Sequence, residues 1–296
     1  MRKDKQKLWK IDPAKLPVKS RKEGFFKRFM SNRIAVVALI YIILISIVSL
    51  LAPFLSTYGR DEIDLQNISG SPSAVHLLGT DLLGRDTFTR LIYGARFSLF
   101  VALGSITIAT LIGVVLGSLA GFFGGPVDHF VTAIIDVFLS IPVFLVLLVA
   151  ASAFRGGLIV IPFVIGSVSW METARIVRVQ IQSIKRRGFV EASFTVGERG
   201  WIVALKHVLP HVASSIAVSA TIGFANVMLI ESALSFLGYG VQPPVPTWGN
   251  MLDSARSVLR TAPMAAIVPG LMIFVTCLCF NLLGKGLKNT LAYSRD

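Results

Sequence analysis

The sequence predicts an all-α, polytopic integral membrane helix bundle with six transmembrane helices, and three observations carry that prediction. Hydrophobic residues make up 54% of the 296 positions and charged residues only 15%, whereas a soluble domain carries about a quarter charged residues. Mean hydropathy is +0.72. Uncharged runs recur along the chain at the length of roughly 20 residues that a helix needs to cross about 30 Å of hydrocarbon.

Taken in order, residues 1–33 form a tail with 12 Lys and Arg residues. The uncharged run 34–55 that follows exceeds the apolar core of about 7–15 residues found in a secretory signal, so it reads as an anchor. Residues 56–96 form a long outer excursion carrying Tyr58, Gly59, the acids Asp61, Glu62 and Asp64, and a Ser-Gly-Ser-Pro turn at 69–72. In the HLLGTDLLGRDTFTRLIYGAR stretch beyond it, Gly79 and Gly84 permit tight turns and Asp81 can cap the next helix. A clamp on the bundle is preferred to direct substrate contact.

Residues 97–284 then supply five more helices. In the run 97–121, Gly113, Gly117 and Gly121 recur every four residues and Ala109 extends the row, a stripe that lets helix backbones approach closely in lipid. A span at 130–154 contains Asp136, and one at 158–176 has a short uncharged centre before Glu172 and Arg175. A fifth runs from 212 to about 236 past Glu231, and a sixth from 261 to 284. Pro142, Pro162, Pro263 and Pro269 can kink or end spans. Asp136 and Glu231 are costly in a membrane. They either line a polar pathway or cap helices and bond neighbouring backbone. Trp248 and Tyr239 suit the outer mouth, including as interface anchors.

Lys and Arg concentrate on the cytoplasmic side of a membrane protein. With both termini inside, the inner segments, including the tail at 285–296, hold 22 Lys and Arg against 7 outside. The net charge of +13 thus reads as a topology signal with attraction to anionic lipid, and no aromatic-interleaved basic module supports nucleic-acid binding. Cys277 and Cys279 are two apart on a helix and point in different directions. His207 and His211 have i, i+4 spacing but no carboxylate at ligand spacing, so no metal site is expected.

The loop 181–211 is neither membrane span nor linker. Phe189, Ala192 and Val196 at i, i+3 and i+7 predict a short amphipathic helix, with Gly197 and Gly200 supplying the turn. Trp201, Leu205, Val208 and Leu209 begin a second helix that Pro210 is expected to terminate. Glu191 is exposed among Arg and Lys residues. Such a knuckle suits transmission of a push from a soluble partner.

Glu191, Ala192, Gly197, Leu209 and Pro210 resemble the Glu-Ala-Ala coupling motif of permease subunits of bacterial ATP-binding cassette importers. Ser193 stands where the second Ala is usual, and His207 where Ile is usual. That His, with GTDLLGRDTFTRLIYGAR at 79–96, GFFGG at 121–125, ESALSFLGYGVQPPVPTWGNML at 231–252 and FNLLGKGLKNTL near the end, resembles the second permease of the dipeptide, oligopeptide and nickel subgroup. The resemblance implies a type I importer permease fold and a heterodimer with a paralogous permease. It also implies two cytoplasmic ATPase subunits that bind ATP and Mg, a solute-binding protein, and the bacterial or archaeal plasma membrane. It assigns Glu191, Ala192, Ser193, Gly197, Leu209 and Pro210 to ATPase coupling. Peptide is the expected cargo, with nickel chelates, glutathione or oligosaccharides as alternatives.

No phosphate-binding loop is present, since Gly284-Lys285-Gly286 lacks the upstream Gly and the hydroxyl of that motif, so the chain is not expected to hydrolyse ATP or act as an enzyme. A stand-alone secondary carrier would show repeat symmetry between halves, and the knuckle occurs once. A membrane enzyme would need a convergent catalytic set, and none is seen.

Overall fold

The computed structural model describes residues 25–154 and 156–292. Most of the tail expected at 1–33 and the end of the tail expected at 285–296 lie outside the described residues. Among them there is no strand, only an isolated bridge between Thr80 and Asp86. Helix α1 (Phe25–Ser31) meets α2 (Arg33–Leu50) at Asn32, whose side chain accepts a hydrogen bond from the Ala35 N–H. The short α3 (Ala52–Leu55) leads into a helix-free segment, 56–86. Helix α4 (Thr87–Phe123) follows, then α5 (Gly125–Ser140), α6 (Val143–Ala153), α7 (Val160–Val168) and α8 (Met171–Lys185). After α9 (Gly188–Thr195) and α10 (Gly200–Val203) come α11 (Leu209–Phe236), α12 (Trp248–Ala255) and α13 (Met264–Ala292). Among the described residues, four helices are long and apolar enough to cross a membrane, and two bent pairs raise the number of spans to as many as six.

Helix α4 is the spine. Its 37 residues span about 55 Å at roughly 1.5 Å per residue. The small-residue stripe faces α8: a Cβ at Gly113 would lie 2.8 Å from Thr173 Cβ, at Gly117 2.5 Å from the Ala174 carbonyl, and at Gly121 2.8 Å from the Arg178 carbonyl. The stripe therefore joins two helices of one subunit, where dispersion between close backbones replaces the hydrophobic drive. The glycines near the carboxyl end do similar work. Gly284 opposes Ile222 of α11, and Gly286 opposes Ala35 of α2. Phe224 and Phe280 stack at 3.8 Å, and Tyr41 and Thr276 hydroxyls bond at 3.0 Å.

Two expected spans are broken. The run 130–154 bends by 86° between α5 and α6. Pro142 has no N–H for the ladder and pushes Ile141 into an extended conformation (φ −102°, ψ 136°). The run 158–176 bends by 45° between α7 and α8. Helix α8 continues past the expected end to Lys185 because it buries Met171, Ala174, Val177, Ile181 and Ile184 while its charges face elsewhere. By contrast, Pro269 stays inside α13.

The 56–86 segment is shorter than the expected 56–96, since α4 begins at Thr87 and carries Arg90 and Arg96 as helix. Its cap is Asp86, not Asp81: the Asp86 carboxylate accepts from the Thr89 N–H at 2.7 Å. Asp81 instead closes a turn, accepting from the Leu83 and Arg85 N–H groups, and pairs with Arg85 (2.7 Å) and Arg90 (3.4 Å). His76 is buried with Nδ1 3.0 Å from Asp86 and Nε2 3.4 Å from Asp64, under the Tyr58 ring. Burial opposes its protonation, but the hydrogen bonds to Asp86 and Asp64 outweigh this and raise its pKa. Gly79 and Gly84 both have positive φ, and a Cβ on either would overlap the carbonyl of Gly70 or Asp64. Trp248 is no interface anchor. It is fully buried and donates from Nε1 to the Leu91 carbonyl at 3.0 Å.

Candidate functional site

The α9 knuckle lies at the end of α4 remote from the 56–86 segment. It is fixed from below by Val190, Val203, Val208 and Val212, which pack with Phe122 of α4 and Val177, Ile181 and Ile184 of α8. Lys185 Nζ donates to the Phe122 carbonyl at 2.7 Å, and Phe194 rests against the Phe122 ring. The face that sequence periodicity selected is largely uncovered. Phe189, Ala192 and Val196 are exposed, Val196 by 86%. The eight-residue helix touches the bundle through Val190, through Phe194 and through the Phe189 ring, which stacks on His211 at 5.1 Å, and leaves Ala192 and the adjoining Val196 uncovered.

Glu191 is exposed and its carboxylate has no hydrogen bond or ion pair among the described residues. Ser193 Oγ donates to the Phe189 carbonyl and Thr195 Oγ1 to the Glu191 carbonyl, tying both hydroxyls to the helix. Gly197 (φ +85°) makes the turn, and a Cβ there would meet nothing within 4 Å. Glu198 then braces the turn against His207 (2.8 Å) and Lys206 (3.5 Å). Burial opposes its ionisation, yet the bond from His207 and the two neighbouring charges lower its pKa overall.

Pro210 does not end the second helix. Residues Ala204–Val208 form a π turn in which the Leu209 N–H reaches the Ala204 carbonyl, and the wider turn accommodates the missing donor and the ring. Gly200–Phe236 is consequently one helix of 37 residues. Leu209 is half-buried and Pro210 exposed within it. Trp201 and Leu205 point away from the bundle while Val203 and Val208 face it.

A cavity of about 720 Å³ opens between α4, α6, α8, α11 and α13. Ser169, Glu172, Gln180, Ser219, Asn226 and Lys288 give its wall polar groups among apolar neighbours. Ser169 Oγ is buried with no hydrogen-bond partner in the described chain. Glu172 entered the sequence reading only as a span boundary. Its position at the start of α8, just after a helix break, was the signal.

The two acids singled out from sequence part company. Asp136 on α5 is exposed and pairs with Arg175 of α8 at 2.9 Å; one helical stretch away, Asp128 pairs with Arg178 and accepts from Gln182. Glu231 is fully buried, accepts from Ser235 Oγ at 2.8 Å, and lies outside the cavity wall. No group of three or more potential metal ligands occurs among the described residues.

Residues 113–292 match the family described as "Binding-protein-dependent transport system inner membrane component", and residues 21–72 match "N-terminal TM domain of oligopeptide transport permease C". A glutathione transport system permease protein of Pectobacterium atrosepticum is 35% identical over 90% of this chain and 89% of its own. A dipeptide transport system permease protein of Alkalihalophilus pseudofirmus is 35% identical (90% and 88% covered), and an oligopeptide transport system permease protein of Bacillus subtilis is 36% identical (89% and 87%). The methionine ABC transporter MetNI, in inward-facing conformations, superposes with a TM-score of 0.53 at 17% identity, covering 68% of this chain and 97% of that one. This last likeness is one of fold.

Proposed function

The chain belongs to the binding-protein-dependent transport system inner membrane component family, and we propose that it is the permease subunit of an ATP-driven peptide importer whose α9 knuckle docks on an ATPase subunit. The observation that carries this reading is the asymmetry of the knuckle. Its inner valines lock it to α4, α8 and α11, while the side chains of Glu191, Ala192 and Val196, and the open space at Gly197, are left without partners among the described residues. A push on this surface reaches a 37-residue helix through the packing of Val190 with Val203, Val208 and Val212, and that helix walls the cavity. Closure of ATP-bound partners would so bias a two-state bundle.

A paralogous permease covers the open side of the cavity and completes the path, and a solute-binding protein delivers cargo to the end bearing the 56–86 segment. The knuckle and both termini lie in the cytoplasm of a bacterial or archaeal cell, in keeping with the excess of Lys and Arg on that side. ATP and Mg belong to the ATPase subunits, and this chain is not itself an enzyme. Peptides are favoured as cargo because relatives named for dipeptide, oligopeptide and glutathione transport match over nearly the whole chain.

The test is uptake by the assembled importer. Glu191→Ala and Gly197→Ala should each abolish peptide uptake while insertion and permease pairing persist; normal uptake in both variants would remove the knuckle from the mechanism.

A further inference from the structure

Helix α8 matches its charges with care. Arg175 meets Asp136, Arg178 meets Asp128, and Lys185 bonds the Phe122 carbonyl. Glu172 is the exception: it opens into the cavity and has no hydrogen bond or ion pair among the described residues. Lys288 of α13 is the other charged residue on the cavity wall, and it too has none.

The helix registers put these two charges at a similar depth. Thr173 opposes Gly113 of α4, Ile106 of α4 opposes Gly223, and Ile222 opposes Gly284. Glu172 thus sits beside the level of Ile112, and Lys288, about one turn beyond Gly284, near that of Leu111. Ser219 of α11 faces the same space. A carboxylate and an ammonium therefore stand at one level of one cavity without forming an ion pair with each other. Both side chains are exposed to the cavity toward its cytoplasmic side, and a pair of opposite charges held apart is complementary to a ligand with the reverse pair.

We propose that Glu172 and Lys288 form a zwitterion-reading site in which Glu172 holds the α-ammonium and Lys288 the α-carboxylate of a short peptide crossing the membrane. This rests on the peptide-importer reading above. The cavity volume lies within the range of roughly 300–1,000 Å³ that encloses small-molecule ligands. Ser219, Asn226 and the unpartnered Ser169 hydroxyl supply hydrogen bonds to the peptide backbone.

Binding of labelled dialanine to the purified permease–ATPase complex without its solute-binding protein tests this, with N-acetyl-dialanine and dialanine amide as competitors, alongside vesicle uptake by the complete importer. Wild type should prefer dialanine to either blocked form by about tenfold, the scale of one charge-assisted hydrogen bond. Glu172→Gln should lose the preference over the acetylated form and keep that over the amide; Lys288→Gln should do the reverse, and Glu172→Asp should restore part of the first. Equal loss for all three ligands, or no change in either ratio, would overturn the site, as would absence of saturable binding in a complex whose complete importer takes up dialanine. Failure of the wild-type importer to take up any peptide would instead remove the peptide reading, and this site with it.

Discussion

The 56–86 segment and the α9 knuckle stand at opposite ends of α4 and use similar materials, glycine turns with scattered charge, to opposite ends. In the segment, polar groups turn inward: His76 between Asp64 and Asp86, Asp81 between Arg85 and Arg90. In the knuckle, Glu191 and the apolar side chains beside it turn outward, and the interior is a cluster of valines. Paired buried charges favour one conformation of the chain, whereas an unpaired surface on a rigid base offers that rigidity to something else. The glycines report the same difference. A methyl group at Gly84 would strike the Asp64 carbonyl, and one at Gly197 would meet open space.

The largest effect on uptake should come from setting those two glycines against each other. Gly84→Ala adds a steric overlap to left-handed strain, about 2–5 kcal/mol together, and should deplete folded protein in detergent. Gly197→Ala adds only the strain, about 1–2 kcal/mol, and should leave folded protein whose uptake is lost. Equal thermal stability of the two variants would erase the contrast.

Two tryptophans sharpen it next. Trp248→Ala empties a fully buried site at the segment end and should cost about 3–5 kcal/mol. Trp201, 60% exposed at the knuckle, should cost about 0.5 kcal/mol or less on truncation, with its effect read in ATPase-coupled uptake.

The segment should also carry a pH dependence opposite in sign to the knuckle's, where the pKa of Glu198 is lowered. The folded pKa of His76 is raised above the usual value of about 6.5. Its contribution is therefore fully present below that value and declines as pH rises through the folded pKa. Melting temperature should fall over this range in wild type and fall less in His76→Gln. The smallest effect is expected at the exposed brace, where Glu198→Gln should leave melting within experimental scatter, since a solvated ion pair contributes little.

The charge-free runs 34–55, 97–121 and 261–284 announced their helices, because nothing but a membrane or a deep core takes so many apolar residues in sequence. The bent spans were less legible. Composition does not record an 86° turn at Pro142, and α8 hides in a stretch whose arginines find partners on α5 only after folding. The start of α4 was missed for a related reason: Arg96 and Arg90 look like the edge of a span, yet in the folded chain Arg90 has Asp81 and Asp61 beside it. At the knuckle, the i, i+3, i+7 pattern located a helix in sequence but did not single out Val190, its buried residue, since periodicity identifies an apolar side without saying what covers it. Glu172 and Lys288 are far apart in sequence and become neighbours in depth only through the glycine contacts of α4 and α11.

Cross-linking from the knuckle tests the central claim most directly. Ala192→Cys, in a background carrying Cys277→Ala and Cys279→Ala, would be coupled in native membranes to whatever lies against it and the adduct identified by mass spectrometry. An ATPase subunit should be captured, in a yield that changes with nucleotide. Intact, inserted protein that captures no ATPase subunit with or without nucleotide would contradict the account.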